Sequence, residues 1–341
     1  MILALLVDFF VGLCFAYVSV EATQKSDTSV RDNLYELTAN LNDPIHITLQ
    51  YLITWLTGKP YSGQRPLLKL TPFTYLLLAL MQIALGSLIT CFLVTQVTSS
   101  WLYFLLYYSY ALTVGGFRIL EGTIIHQAVH DNLFPGSPMQ RVLAEIISTV
   151  MITEPFDGYV TNHLQRHHNR KIFATTEDPA YQTLLREGFF PGRTLLQYWL
   201  QLWKRLLNPV SYISQFKNRI AVNLTAEKSY RRVMAGIWLI VLALVTYRHP
   251  MVLLIWGPPL TVNHRISDLL SSLTEHRWGD FDPTVSSKVN YCRKTFGRFS
   301  GEPVPNPTPI QSPFKWLFWL SRSLLLHLPI RLGVWVGEMP E

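Results

Sequence analysis

Residues 72–97 read PFTYLLLALMQIALGSLITCFLVTQV, an apolar run without a single charged side chain. As a helix this run would be about 39 Å long, which is more than the hydrocarbon thickness of about 30 Å. A second apolar run begins at Trp101, after the short uncharged link 98–100. So short a link predicts that the two runs form a helical hairpin that crosses a membrane.

The composition of the whole chain agrees with a membrane protein. Of the 341 residues, 49% are hydrophobic and 15% are charged, a balance that is unusual for a soluble domain. The net charge of +7 is spread along the chain, and no nucleic-acid-binding module occurs, so nucleic acid is excluded as a partner. The three cysteines, Cys14, Cys91 and Cys292, form no CxxC motif. Any metal is therefore expected to bind to nitrogen or oxygen.

A second apolar pair, 233–247 and 250–273, follows a polar middle region. Residues 118–232 contain fourteen Lys and Arg, an excess that is typical of the cytoplasmic side. We therefore predict an all-α, integral, multi-pass membrane protein with two transmembrane helical hairpins, which makes four main spans. A cytoplasmic helical cap between the hairpins carries the histidine-rich motifs.

The second and fourth spans are predicted to project beyond the lipid. Continuous helices from Trp101 to His126 and from Pro250 to His276 would be about 37–39 Å long. Both histidines would then lie on the same cytoplasmic side. Two prolines, Pro258 and Pro259, are expected to interrupt the fourth helix.

The chain divides at the start of the first span. Residues 1–71 are predicted to form an N-terminal hydrophobic and interfacial extension, and 72–341 the membrane domain. Residues 1–20 are apolar but have no basic start and no clear cleavage site, so we interpret them as an uncleaved anchor or an extraneous extension. The stretch IHITLQYLITWL at 45–56 predicts an interfacial helix.

Two histidine motifs, HQAVH at 126–130 and HLQRHH at 163–168, lie in the middle region. His126 and His130 are four residues apart, so on an α-helix they share one face and can bind one metal or two neighbouring metals. His163 and His167 repeat this spacing, while His168 points about 100° away and could reach a second metal. With His276 the set exceeds what one tetrahedral zinc needs, which favours two metals, and iron in particular.

Three polar residues are candidates for orienting a ligand or a metal-bound water: Glu121, Asp268 and Ser272. Asp268 and Ser272 precede His276 by eight and four residues and share its helical face. Polar filler between helices, or a helix-end charge for Glu121, is the alternative. We predict a core or hydrogen-bonded role for His264, and expect Asp178 to tether its loop or to pair with a basic neighbour.

The motifs resemble those of the integral-membrane fatty acid desaturase and hydroxylase superfamily. HQAVH, HLQRHH and HHNRKIFATTEDPAY, with Asp178-Pro179, resemble its first two histidine boxes, and ISDLLSSLTEHRWG (266–279) resembles the end of its fourth span. The resemblance implies a non-haem centre of two iron ions that uses O₂ to introduce a C=C bond into the acyl chain of a lipid. It also implies two electrons from an external donor such as ferredoxin or cytochrome b5. The metal ligands would be His126, His130, His163, His167, His168 and His276.

The family's third box, of the H/Q-x-x-H-H kind, does not occur in this sequence. The chain ends LLLHLPIRLGVWVGEMPE, where His327 lies in an apolar stretch that indicates a structural role. Our expectation is that this sequence stops short of the last ligands. An inactive truncated form is therefore one alternative to an active desaturase.

Other activities stay open. A lipid or carotenoid hydroxylase or ketolase would use the same scaffold and the same histidines. A membrane zinc hydrolase would also collect histidines, but position 127 is Gln where an HExxH motif has its catalytic Glu. A metal-handling transporter would place its ionisable residues inside the spans, whereas the histidine motifs are predicted to lie beyond them.

Overall fold

The computed structural model describes residue 35 and residues 42–57, 71–276, 278, 284, 286, 288, 291, 311–322 and 324–325. The elements in this part of the chain are helices, and no strand occurs among these residues, which confirms the all-α prediction. The predictions for residues 1–20, for His327 and for the end of the chain lie outside the described residues.

The first hairpin begins with a capped helix. After α1 (Asp43–Thr57), helix α2 (Pro72–Gln96) starts at Thr71, whose hydroxyl accepts a hydrogen bond from the backbone N–H of Thr74 while the Thr74 hydroxyl accepts one from that of Thr71. This capping box satisfies two N–H groups that a helix start leaves unpaired. A short 3₁₀ turn (Ser100–Phe104) then leads into α3 (Leu105–Arg118).

Helices α2 and α3 pack closely because small residues face each other. A Cβ atom on Gly86 would lie 2.5 Å from the carbonyl oxygen of Ser109 and 2.3 Å from the hydroxyl of Thr113. The Thr90 hydroxyl donates to the Ser109 hydroxyl at 2.8 Å. Small side chains of this kind are typical of helix contacts inside membranes.

The predicted second span, called the second segment below, continues as a helix beyond the end of α3. It continues through a π-helix, π1 (Ile119–Ile125), into α4 (His126–Val129), and the residues at both junctions keep right-handed helical backbone angles. The predicted helix from the second apolar run to His126 is therefore present. Wider π turns inside α-helices frequently occur at functional sites.

The middle region consists of short helices packed around buried apolar residues. In chain order these are α5 (Met139–Val150), α6 (Phe156–Val160), π2 (Thr161–His167), α7 (Pro179–Arg186), α8 (Leu195–Leu206) and α9 (Pro209–Leu224). One apolar core joins π1, α4 and α5. Another joins α7 and α8 to Leu269 and Leu270, which lie in the predicted fourth span, called the fourth segment below.

The last segments are α10 (Ser229–Arg248), α11 (Val252–Ile255), π3 (Pro259–Asn263), α12 (His264–Glu275) and α13 (Pro313–Arg322). The fourth segment is interrupted as expected, with α11 ending before Trp256 and π3 beginning at Pro259. The Trp256 indole donates to the Ser87 hydroxyl at 2.9 Å, and the Tyr110 hydroxyl donates to the carbonyl of Leu254 at 2.7 Å. These bonds hold the fourth segment against the first hairpin.

Two of the described helices, Pro72–Gln96 and Ser229–Arg248, are long and apolar enough to cross a membrane. They correspond to the predicted first and third spans. The second and fourth segments are each divided between helix types, and four spans remain a proposal.

A buried ion pair ties α10 to α5. Arg231 is 1% exposed and contacts the Glu145 carboxylate at 2.9 Å. The same guanidinium donates to the side chains of Ser148, Thr149 and Asn223. Because a buried charge needs such partners, this network fixes how the two helices pack.

Candidate metal centre

The first histidine motif lies where π1 passes into α4. His126 is the first residue of α4, and the backbone N–H of His130 donates to its carbonyl at 3.1 Å. The two imidazole rings stack with their centroids 4.7 Å apart. The prediction that the i, i+4 spacing places both rings on one face is confirmed.

The second motif is π-helical, and this changes the expected pairing. The backbone N–H of His168 donates to the carbonyl of His163, five residues earlier, at 2.8 Å. In an α-helix His168 would point about 140° away from His163, but the i, i+5 turn brings both onto one face. Their Nε2 atoms are 3.0 Å apart. His168 therefore joins His163, instead of pointing away to a separate site as α-helical geometry predicted.

His276 reaches the cluster from the end of the fourth segment. It follows α12 in extended conformation and is 3% exposed. Its Nε2 atom lies 3.2 Å from Nε2 of His167, which is 109 residues away in sequence. The rings of Phe173 and Trp278 pack beside His276 at 4.9 and 5.2 Å. The structure thus brings together all six predicted histidine ligands.

The spacing of the imidazole nitrogens fits shared metal ions. Two nitrogens bound to one ion at about 2.0–2.1 Å, at angles of 90–110°, are about 2.9–3.4 Å apart. The Nε2 separation is 3.3 Å for His130 and His163, and the contacts described above have similar lengths. His126, His130 and His163 each offer a nitrogen within 4.8 Å of the others.

Hydrogen bonding alone accounts poorly for this arrangement. Nε2 of His163 faces both Nε2 of His130 and Nε2 of His168. One ring nitrogen of a neutral imidazole is either a donor or an acceptor, so it cannot make two well-directed bonds here. A metal ion between the Nε2 atoms of His130, His163 and His168 would accept one lone pair from each. The donor set therefore fits a bound metal.

The cluster also keeps the His163 imidazole neutral. Burial lowers the pKa of His163 far below its usual range, and the neighbouring His126 and His168 lower it further. A second positive charge in this group would be repelled by the first. Neutral imidazole is the form that binds a metal, so this shift favours coordination by His163.

Asp178 orients one of the ligands. Nδ1 of His167 lies 3.0 Å from each carboxylate oxygen of Asp178, which is fully buried. The same carboxylate accepts hydrogen bonds from the N–H groups of Ala174 and Ala180, at 2.7 and 2.9 Å. Burial alone would raise the pKa of Asp178, but the interaction with His167 and the bonds from Ala174 and Ala180 outweigh it, and the pKa is lowered. An ionised Asp178 fixes the proton on Nδ1 and directs Nε2 of His167 toward the cluster.

Asp178 was expected to tether its loop or to pair with a basic neighbour, and it does both. On a continuous helix the two residues, eleven positions apart, would lie about 16 Å from each other, so helical spacing did not predict which ligand Asp178 orients. Two tyrosine hydroxyls were also missed. That of Tyr159 lies 3.5 Å from Nδ1 of His126, and that of Tyr291 lies 3.4 Å from Nδ1 of His168.

The other predicted polar residues lie around Arg118 and Trp278. Glu121 contacts His264 at 2.9 Å and Arg118 at 3.1 Å, which confirms a hydrogen-bonded role for His264. Asp268 pairs with Arg265 at 3.2 Å. The carbonyl of Ser272 accepts a hydrogen bond from the Trp278 indole at 2.6 Å. An orienting role for Glu121, Asp268 or Ser272 at the metal site stays a prediction.

In the described residues the elements are helices, two of them are apolar and of membrane-spanning length, and six imidazoles converge. These are the features of a membrane-bound, histidine-rich metal-site protein. Comparison with known families agrees with this class. The fatty acid desaturase family matches residues 99–329, which is more than half of the chain. The chain therefore belongs to the fatty acid desaturase family. Its members are membrane-bound, generally oxidoreductases and typically diiron proteins that modify fatty acids. No curated protein and no solved structure matches the chain significantly.

Proposed function

We propose that this chain is a membrane-bound fatty acyl desaturase, which uses O₂ and two external electrons to introduce a C=C bond into the acyl chain of a lipid. The observation that carries the proposal is the meeting of imidazoles from three distant segments, namely HQAVH, HLQRHH and the end of α12. Family membership supports the lipid substrate and the oxidative chemistry.

The nitrogen contacts divide the histidines into two groups. His130, His163 and His168 meet at Nε2 atoms, with the His126 ring stacked beside them, and they would hold one iron ion. His167 and His276 would hold the other. A pair of iron ions, when bound, supplies the O₂ chemistry that removes hydrogen from an unactivated methylene group.

The chain's own residues prepare this site in two ways. Asp178 holds the Nδ1 proton of His167, so that Nε2 is the free donor. The rings of Phe173 and Trp278 cover His276 and keep water from it, and a dry site strengthens electrostatic interactions. Since the sequence has no dinucleotide-binding fingerprint, a separate protein such as ferredoxin or cytochrome b5 would deliver the electrons.

The proposed topology has four spans with the metal site on the cytoplasmic side. The side is argued from the fourteen Lys and Arg of residues 118–232. The second and fourth spans are the segments 100–129 and 252–275. In this topology the cytoplasmic end of the second span carries His126, and that of the fourth leads to His276.

Expression in a microbial host tests the proposal. Fatty acids of the host are converted to methyl esters and separated by gas chromatography with mass spectrometry, and the purified protein is analysed for iron and zinc. We expect a new unsaturated chain and about two irons per chain. A new hydroxy acid would show a hydroxylase instead, and one zinc without iron would overturn the proposal.

A further inference from the structure

One face of α5 is apolar and exposed. Its side chains Met139, Val142, Ile146 and Val150 are 60, 50, 47 and 40% exposed. At about 100° per residue these four positions fall within an arc of about 80°. The opposite face is buried against π1 and α4. A continuous exposed apolar stripe of this kind is expected to contact either a membrane or another protein. Its position beside α10 indicates which of the two it contacts.

The end of α5 contacts the middle of a candidate span. The indole N–H of Trp238 donates to the carbonyl of Val150 at 2.8 Å. Trp238 is the tenth of the 20 residues of α10, about 13.5 Å along its axis from Ser229. Nearer the start of α10, Arg231 contacts Glu145. The second half of α5, from Glu145 to Val150, therefore runs beside α10 from the first turn of α10 to its midpoint.

The fourth segment gives a second marker of depth. The Arg219 guanidinium donates to the carbonyls of Met151 and Ile152, which follow α5, at 2.5 and 2.8 Å. It also donates to the carbonyl of Leu260 at 3.0 Å. Leu260 is the second residue of π3 and lies inside the fourth segment. Both markers place the end of α5 near the mid-depth of the spans.

The carbonyl groups at this end are satisfied without water. Four consecutive carbonyls, those of residues 150–153, accept hydrogen bonds from side chains of other helices, including Asn223 to Thr153 at 2.9 Å. In water, solvent can satisfy the carbonyls that a helix end leaves unpaired. Hydrocarbon supplies no donor, so a chain reversal at that depth requires such partners.

We propose that α5 is a re-entrant helix whose apolar stripe contacts lipid acyl chains. It would enter the bilayer at Met139, reach its greatest depth at Val150, and turn back at residues 151–153. Lipid is the occupant because the stripe lies beside α10, whose apolar side chains Val233, Ile237, Ile240 and Leu244 are exposed as well. The proposal rests on α10 spanning the membrane, as the proposed topology requires. It moves α5 out of the cytoplasmic cap that the charge distribution predicted.

Depth measurements by electron paramagnetic resonance test this inference. Single cysteines replace Met139, Val142, Ile146 and Val150 in turn, in a full-length chain in which the native cysteines are alanines. Each is labelled with a nitroxide in phosphatidylcholine vesicles, and its collisions with O₂ and with a water-soluble nickel chelate are compared. Ile240, 62% exposed on α10, is the lipid control, and the exposed Lys171 is the aqueous control.

We expect the ratio of O₂ to nickel collisions to rise steadily from position 139 to position 150 and to approach that of Ile240. Equal, shallow depths at all four positions would describe a helix on the membrane surface and would overturn re-entry. Nickel access equal to that of Lys171 would also overturn it, as would low access to both reagents, which would mean that a second copy covers the stripe. A water-exposed Ile240 would contradict the proposed topology as well.

Discussion

Nδ1 of His167 donates a hydrogen bond to the carboxylate of Asp178, whose two oxygens both lie 3.0 Å away. Nε2 on the other side of the same ring lies 3.2 Å from Nε2 of His276. The Asp178 carboxylate, the His167 imidazole and the His276 imidazole thus form a chain of successive contacts. In such a chain the carboxylate sets both the tautomer of His167 and the direction of its Nε2 atom.

Replacing Asp178 with Asn should weaken iron binding. Asn keeps the N-cap of α7, but a neutral amide holds the Nδ1 proton less well, so we expect iron affinity at the His167 position to fall about 10- to 100-fold. Competition with an iron chelator measures this. Asp157→Asn is the matched control, because Asp157 pairs with Arg141 and Lys228 instead. Equal iron affinity in the two variants would remove the orienting role of Asp178.

Removing one ligand should abolish function without unfolding the protein. The variant His167→Ala takes away a nitrogen that the proposed second ion needs, so iron loading and the unsaturated product should both be lost. Membrane insertion, checked by extraction with carbonate, should be unchanged. In the control variant His249→Ala, an exposed imidazole at the end of α10 is removed and activity should persist. Full activity of His167→Ala would contradict the proposed ligand set.

The close contact between α2 and α3 should be sensitive to a single methyl group. In Gly86→Ala the new Cβ would meet the Ser109 carbonyl at 2.5 Å, so the helices must separate, at a cost of about 1–3 kcal/mol. Thermal unfolding in detergent should show a lower midpoint. Gly236→Ala adds a methyl with no atom within 4 Å and should be neutral or stabilising. An unchanged midpoint for Gly86→Ala would mean that the hairpin is less tightly packed.

Breaking the buried pair of Arg231 and Glu145 should be among the most damaging changes. The variant Arg231→Met leaves the Glu145 charge with the Tyr230 hydroxyl as a remaining partner, and removing one member of a buried pair costs about 3–5 kcal/mol. The fall in unfolding midpoint should be partly reversed by adding Glu145→Gln, since that change removes the uncompensated charge. Lys217→Met, at an exposed position, serves as control. Similar midpoints for Arg231→Met and Lys217→Met would refute the argument.

The sequence predicted the features that depend on apolar periodicity and on simple helical spacing. The helical hairpin after Thr71, the shared face of His126 and His130, and the break near Pro258 are present. Each of these features depends on residues that are close together in the sequence, and a sequence pattern records such local relations. A continuous fourth helix was expected to bring His276 to the other histidines, but His276 reaches them from an interrupted segment and in extended conformation.

The features that the sequence did not predict depend on contacts between segments or on an unusual helix type. The pairing of His163 with His168 requires a π turn, which has no distinctive periodicity in the sequence. The bond from His167 to Asp178 depends on how the loop between them folds. The position of α5 depends on Arg219 and Trp238, which belong to helices much later in the chain.

The π-helical turn has a consequence for how such proteins vary in length. An α-helix aligns residues four apart, so a motif of the form H-x-x-H-H presents its first and last histidines on one face. In π2 the same alignment is reached over five residues, by the longer motif HLQRHH. A one-residue deletion between His163 and His167, combined with a return to α-helix, would keep the two outer rings together. We therefore expect one-residue insertions and deletions to be tolerated here when the helix type changes with them, and a motif search with fixed spacing would miss this equivalence.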